Sequence, residues 1–570
     1  MAIHLVGGGP ALEAVETALA DIDVSVQRGD VEGLTEALVG VVSAPTGASV
    51  FEAANNQASR WIAIEIGGVG GVPLESVQAA VSGFGPESAC YVCLGRRVQG
   101  TASEVAETPT GSRSAVHLAG AIAGYELVRL LGGEDRLTGH VIEVPYDRHR
   151  VLPTPGCTCG SPPAQGLDRS STDLNVEAAL DRAERALDNR TGLITEVGEL
   201  ESFPAPYYLA TLASTDALSD GSAPEHTAGV AIDWNRALMK ALGEALERYA
   251  AAMYRRSDLQ MATPTELDTA VAPSAFVGGP APGDPAAETN RRWTPGERLS
   301  DGTEAMLPAE AVYFPPPASN GFHTITTGLA AHTATGDALR AGLLEVIERD
   351  ATMLAWYASG TPPAVAIDDP DFEALTQRAA SVGLSVTPRL VTRDIDIPVL
   401  SVAVHREEFP RVALGSAAAL DATQAACAAL EEALQNWMEL RSAGPEEALD
   451  LDGAIGRYAT GEAPVDAAIA TDGIVQAERL SRRTDDGTIP KGEAAPKTVL
   501  DAIMSSGLTP YATRLTSRDL DTIGIEVVRG LVPKAQPLVT GSPVFGERAR
   551  TVPPTLGETP RLDRVHHPYP

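Results

Sequence analysis

A small α/β domain followed by a larger domain of mixed α+β type is what the sequence predicts, on three observations. The chain opens with a short apolar run, a glycine turn and a helical pattern. From about residue 190, strand-like and helical patterns alternate to the end. Within that stretch one helical motif, centred on Glu244, returns 101 residues later at Glu345. A chain of 570 residues accommodates two to four domains at roughly 100–200 residues each. Hydrophobic residues make up 44% and aromatics 5%, enough apolar mass for sizeable cores built largely of Ala and Val.

Residues 1–160 form the first unit. The run Met1–Val6 reads as a strand, Gly7-Gly8-Gly9-Pro10 as a turn, and Leu12, Val15 and Leu19 as one face of a helix. Strand, glycine turn and helix open a Rossmann-like unit. The register puts Leu12 where a dinucleotide fingerprint needs a small residue, and Pro10 removes an N–H from the turn. No working nucleotide site is expected there. Residues 160–171 (GSPPAQGLDRSS) read as linker. Within 161–190, Thr172 and Asp173 are expected to cap a helix with Val176, Ala179, Leu180, Ala183 and Leu187 on its apolar face. Residues 191–570 form the second unit, with Pro/Gly-rich loops at 272–288 and about 443–464.

Charge narrows the partners. Asp and Glu number 76 against 43 Lys and Arg, a formal net charge of −33. Lysine occurs only at Lys240, Lys491, Lys497 and Lys534. This acidic, Lys-poor, Ala-rich composition suits solubility at high salt and resembles that of a haloarchaeal protein. A strong negative field argues against nucleic-acid binding, which rests on phosphate neutralisation, and against an anionic membrane surface. No run of 18 apolar residues predicts a transmembrane helix, and the start lacks a basic region, so a cytoplasmic protein is expected.

The repeat carries the chemistry. Glu244 and Glu247 stand three apart, so both carboxylates project from one helix face, with Arg248 beside them. Glu345, Glu348 and Arg349 repeat the arrangement in the same apolar frame, and Leu430-Glu431-Glu432-Ala433-Leu434-Gln435 is a weaker third copy. Helices brought side by side would converge four carboxylates, which repel and need a cation. Mg²⁺ prefers such oxygen ligands and usually binds phosphates at the same time, while arginine forks suit phosphate oxygens. The constellation reads as a Mg-nucleotide site.

The cysteines make a second constellation. Cys90 and Cys93 form a C-x-x-C, and Cys157 and Cys159 a C-x-C. Four thiolates satisfy a tetrahedral Zn²⁺ with no open position, which makes the site structural. Cys427, on an Ala-rich helix, is expected to be a buried small residue, and Trp437 and Met438 core. Arg96 and Arg97 read as a solvated surface pair.

Two segments, ALGEALERYA (241–250) and SNGFHTITTGLAAHTATGDALRAGLLEVIERDA (319–351), resemble the two ATP-binding signatures of YcaO proteins. VALGSAAALDATQAACAALEEALQ (412–435), GIEVVRGLVP (524–533) and the tail HHPYP support the resemblance, which spans about 190–570. It implies a Mg²⁺–ATP site of Glu244, Glu247, Arg248, Glu345, Glu348 and Arg349, with Asn320 and Asp337 in addition. The sequence departs from the family pattern at Ala241, Ala341, Asp337 and His566, which stand where Ser, Gln, Glu and a tail proline are usual. The segment GFGPESACYVCLGRR (83–97) resembles the zinc-binding part of the E1-like (ThiF-like) domain of azoline-forming cyclodehydratases. The implied fold is an α+β YcaO-type domain preceded by a small Rossmann-like E1-like domain.

The implied activity is ATP-dependent cyclodehydration of Cys, Ser or Thr in a substrate peptide. Pro570 and His567 are the tail's candidates for catalysis. The implied partners are the peptide, a separate leader-recognition protein, a flavin dehydrogenase and a second copy of the chain. Two other functions fit the same residues: a YcaO that makes a thioamide, and a catalytically weak scaffold that presents a peptide to a partner enzyme.

Overall fold

The computed structural model describes residues 2–161, 166–172, 174–318, 322, 324–451 and 453–569. Asp173, Asn320 and Pro570, and with them the expected roles of each, lie outside these residues.

The N-terminal strands build a seven-stranded sheet. Its order is Ser25–Gly29, Ala2–Gly7, Val39–Pro45, Trp61–Ile66, Ala79–Phe84, His140–Glu143 and Asp147–Arg150. The first four are parallel and the last three pair antiparallel. The expected strand, turn and helix are present, with Pro10 as the first residue of the helix Pro10–Leu19 and Leu12 fully buried. Gly9 takes φ of 84°, a left-handed conformation that suits glycine. Helix Arg113–Leu131 crosses this helix at Gly120, where a Cβ would stand 2.1 Å from the Ala11 carbonyl oxygen. The missing side chain is what lets the two backbones meet.

The remaining chain forms three further sheets around three long helices. Ile194–Glu201, Tyr207–Leu212 and His226–Val230 pair antiparallel. A six-stranded sheet runs Gln260–Ala262, Arg291–Arg298, Tyr511–Arg514, Glu526–Leu531 and Leu329–His332, with Thr303–Pro308 on its second strand. A five-stranded sheet orders Val412–Ala418, Val399–His405, Ser385–Leu390, Ala364–Ala366 and Ile474–Gln476. Helix Thr335–Trp356 is buried along nearly its whole length, the mark of an element at the centre of the packing.

Four expectations change. The helix after the linker is Val176–Ala183, and Asn175 caps it by accepting from Ala178 N at 2.9 Å. Part of the expected loop at 443–464 is helical: Ala422–Ala448 continues past a kink at Gly444, and Ile455–Thr460 follows. Cys427 is half-buried and donates to Asp369 at 3.5 Å. Arg97 is not a surface residue. It is 2% exposed and ion-paired with Asp519, because the helix Tyr91–Thr101 turns that face onto the second unit. Trp437 and Met438 are core, as expected.

Candidate functional site

Three strand–helix units build the site. His226–Val230 leads into Trp234–Ala252, Leu329–His332 into Thr335–Trp356, and Val412–Ala418 into Ala422–Ala448. In each unit one helix glutamate accepts a main-chain N–H from the strand or the residue before it. Ala228 donates to Glu244 at 3.3 Å, Gly328 to Glu345 at 2.9 Å and Ser416 to Glu432 at 2.6 Å. The bond recurs because the helices share a frame. Leu242, Leu343 and Leu430 lie two residues before these glutamates, and Leu246, Ile347 and Leu434 two after; all six are buried. Packing those pairs fixes each helix's rotation and carries its glutamate to the same place.

The second carboxylates and the arginines complete the charge. Arg248 donates to Glu244 at 3.2 Å and also to Glu247. Arg349 lies 3.7 Å from both Glu348 and Glu432, and its Nε and Nη1 have no hydrogen-bond partner among the described residues. Ser416 Oγ donates to Glu348 at 2.7 Å. Arg529 is 4% exposed and donates to the Thr326 and Ile325 carbonyls at 2.6 and 2.7 Å.

Burial sets the protonation of this group. It pushes Glu247 up to about 7, against the nearby Arg248 and with the charges of Glu345 and Glu244 adding. It pushes Glu348 up to about 8, against Arg349 and with Glu432 adding. Glu432 is raised by burial as well, and Arg529 is lowered to about 10 by its own burial. Five carboxyl groups thus stand near three guanidinium groups, and burial favours the protonated form of Glu247, Glu348 and Glu432 until a cation is bound among them.

A cleft of about 530 Å³ opens beside them, lined by Glu244, Glu247, Glu432, Gln435, Lys240 and His332 among others. Glu345 and Glu348 are not among its walls, and the carboxylates close no cage. Among the described residues only the four cysteines bring three or more such ligand atoms within 4.8 Å of one another. Asp337 is engaged elsewhere: it accepts from Thr172 N at 3.0 Å and lies 3.7 Å from Arg340.

Comparison with known proteins decides the family. The family described as YcaO cyclodehydratase, ATP- and Mg²⁺-binding, matches residues 228–536, more than half of the chain. The chain belongs to the YcaO family. All three strand–helix units fall inside or at the edge of that match. An uncharacterized protein of Methanothermobacter thermautotrophicus (strain Delta H) is 30% identical over 224 residues, covering 38% of this chain. That stretch is 55% of the relative, so the chain spans about half of the curated relative it matches.

Solved structures share the fold along the whole chain. A heterocyclase in complex with substrate and cofactor superposes with a TM-score of 0.75 at 22% identity, covering 100% of this chain and 85% of the other. The heterocyclase TruD superposes with 0.66 at 20%, covering 97% and 82%. The fold is therefore YcaO-type α/β with mixed sheets.

The structure brings the two cysteine pairs of this YcaO chain together. Cys90 lies 3.8 Å from Cys93 and 3.6 Å from Cys157, and Cys93 lies 3.6 Å from Cys159, sulfur to sulfur. Four sulfurs at about 2.3 Å from a tetrahedral ion stand roughly 3.8 Å apart. The donor set and spacing fit a metal. Thr154 donates to Cys93 from both N and Oγ1, and Arg518 donates to Cys159 at 3.1 Å. Hydrogen bonds from Cys90 and Cys93, then Arg518, hold the Cys159 thiol well below its ordinary range.

The tail folds back onto the second helix. Trp356 Nε1 donates to the Val565 carbonyl at 2.9 Å, and Tyr569 Oη donates to Ser401 at 2.9 Å. His567 is 2% exposed, and its Nε2 donates to the Val539 carbonyl at 2.7 Å. Burial and the neighbouring His566 lower it to about 3, which leaves the ring neutral.

Reading the sequence alone missed three site residues. Glu432 and Gln435 were marked by the weaker third repeat, in which Gln435 stands where the other copies have Glu247 and Glu348. Arg529 lies in the segment 524–533 and carried no local signal of its own.

Proposed function

We propose that this YcaO protein activates a backbone amide of a peptide with ATP and closes an adjacent Cys, Ser or Thr onto it to give a thiazoline or oxazoline. The observation that carries the reading is that one main-chain bond recurs on Glu244, Glu345 and Glu432 of three equivalent helices, with Glu244, Glu247 and Glu432 lining the cleft. Glu244, Glu247, Glu345, Glu348 and Glu432 are the oxygen ligands available to Mg²⁺. Their open arrangement suits an ion that keeps waters and phosphate oxygens in its shell. Bound Mg²⁺ would neutralise the triphosphate.

The chain's own groups then orient the reaction. The side-chain sulfur or oxygen attacks the preceding carbonyl carbon, and the oxyanion takes the γ-phosphoryl group as ADP departs. The amide nitrogen loses its proton as phosphate leaves, forming the C=N bond. Arg349, whose Nε and Nη1 have no partner among the described residues, and Arg248 would hold phosphoryl charge in line with the oxyanion. Asp337 ties the linker to the second helix, and Asn320 and Pro570 keep the roles the family resemblance implies. We assign His567 to anchoring the tail, since its Nε2 is committed to a carbonyl and its ring is neutral.

The first unit reads as an E1-like domain of residues 1–160, stapled by a structural Zn²⁺ on Cys90, Cys93, Cys157 and Cys159. Residues 161–190 connect it to a YcaO domain of 191–570. Such a pair would present a peptide, with a leader-recognition protein, a dehydrogenase and a second copy as partners in the cytoplasm.

The test is to incubate the protein with Mg-ATP and a peptide carrying Cys, Ser and Thr, and to follow peptide mass and phosphate together. Loss of one water per phosphate released is the expected result. Exchange of oxygen for sulfur with added sulfide would instead establish the thioamide reaction. An unchanged peptide with no phosphate released would favour the presenting scaffold.

A further inference from the structure

Arg389 and Arg564 meet in a small pocket away from the carboxylate cleft. The pocket encloses about 140 Å³, and Trp356, Gly360, Thr361, Arg389, Arg564 and Tyr569 are among its walls. No acidic side chain of the described residues lines it. In a chain with 76 Asp and Glu, a pocket holding two arginines and no acid is a specific arrangement.

One buried donor of the pair is left without a partner among the described residues. Arg389 is 2% exposed and sits opposite Ser401 in the ladder of Ser385–Leu390 with Val399–His405. Its Nη2 donates to Ser401 Oγ at 3.2 Å, and Tyr569 donates to that same oxygen at 2.9 Å. Both lone pairs of the serine are then used. Arg389 Nε has no partner among the described residues. Arg564 lies with its guanidinium 4.2 Å from the Trp356 ring centre, and its Nη1 donates to the Trp356 carbonyl at 2.6 Å. Neither arginine forms an ion pair with a described residue. Burial lowers both, the direction for buried cations with no acidic partner among the described residues.

We propose that this pocket is a second anion site, which takes a small oxyanion between the forks of Arg389 and Arg564. Guanidinium groups match carboxylate and phosphate oxygens in geometry, and an acceptor there would satisfy the orphaned Nε. The volume suits a single phosphate or carboxylate group rather than a nucleotide. Thr361 and Ala470 at the pocket are exposed, which gives a solute its way in. Two sources share this chemistry: inorganic phosphate, which the proposed reaction releases, and a carboxylate of a peptide.

The test needs no nucleotide, so it stands or falls separately from the ATP reading. The full chain is titrated calorimetrically in low-chloride buffer with inorganic phosphate in one arm and N-acetylaspartate in the other. Arg564→Gln, at the half-exposed wall, is the principal variant, Arg389→Gln the second, and Arg28→Gln, at an exposed ion pair with Glu16 outside both sites, the control. The expected result is saturable binding weakened about tenfold by Arg564→Gln and retained by Arg28→Gln. Phosphate alone binding points to the released product, and N-acetylaspartate competing with it points to a peptide carboxylate. Binding that Arg564→Gln leaves unchanged, or no saturable binding of either anion, overturns the proposal.

Discussion

Arg97 and Asp519, 422 residues apart in sequence, form an ion pair in which both side chains are buried. Tyr249, on the helix of Glu244 and Glu247, donates to the same Asp519 carboxylate, and Arg97 donates to the Tyr249 hydroxyl at 3.2 Å. The neighbouring Arg518 reaches Cys159. One dipeptide, Arg518-Asp519, thus touches the cysteine cluster and the first carboxylate helix together.

Breaking that pair leaves a buried charge alone. Arg97→Met is expected to cost about 3–5 kcal/mol, as removal of one partner from a buried pair does. Denaturant unfolding would show the lowered midpoint, and Arg97→Met combined with Asp519→Leu should recover part of the loss.

Cation binding should depend on pH. Glu247 at about 7 and Glu348 at about 8 sit above the ordinary carboxylate value of 4.5. The folded protein therefore holds more protons than the unfolded chain between these values. Its stability without ligand is greatest below the ordinary value and falls as pH rises through about 7 and about 8. Mg²⁺ needs the deprotonated forms, so Mg-ATP affinity should rise over the same interval with release of protons. Calorimetry in buffers of different ionisation enthalpy measures that release, and Glu348→Gln should reduce it.

Metal analysis checks the cysteine cluster. One zinc per chain is expected, with loss of the ion in Cys93→Ala. Its removal by a chelator should lower the thermal midpoint of the N-terminal sheet, because Cys90 and Cys93 lie at the start of one helix while Cys157 and Cys159 lie beyond the last strand.

Glu432→Gln tests the third helix. It keeps the bond from Ser416 N while removing charge, so the fold should persist. Mg-ATP affinity is expected to fall about tenfold, the scale of one charge-assisted ligand contact. An unchanged affinity would place Glu432 outside the cation's shell.

Much of the site was legible because it repeats. The spacing of Glu244, Glu247, Glu345 and Glu348 on buried leucine and isoleucine frames shows in sequence, as does the pairing of two cysteine motifs. Arg97 was misread because nothing in its neighbourhood reveals a partner 422 residues away. Arg529 is equally silent, since its place beside the carboxylates comes from strand Glu526–Leu531 lying beside Leu329–His332. The region 443–464 carries Gly444 and Pro445, which suggest a loop. The structure absorbs both in a kink between helical segments. Local signals thus found motifs, and long-range packing set their surroundings.

The most direct measurement is calorimetric titration of Mg-ATP at high salt into the wild type and into Glu345→Gln/Glu348→Gln. Saturable binding by the wild type and none by the variant is the predicted result. No binding by either, with a cooperative thermal transition in both, would contradict a nucleotide site on these helices.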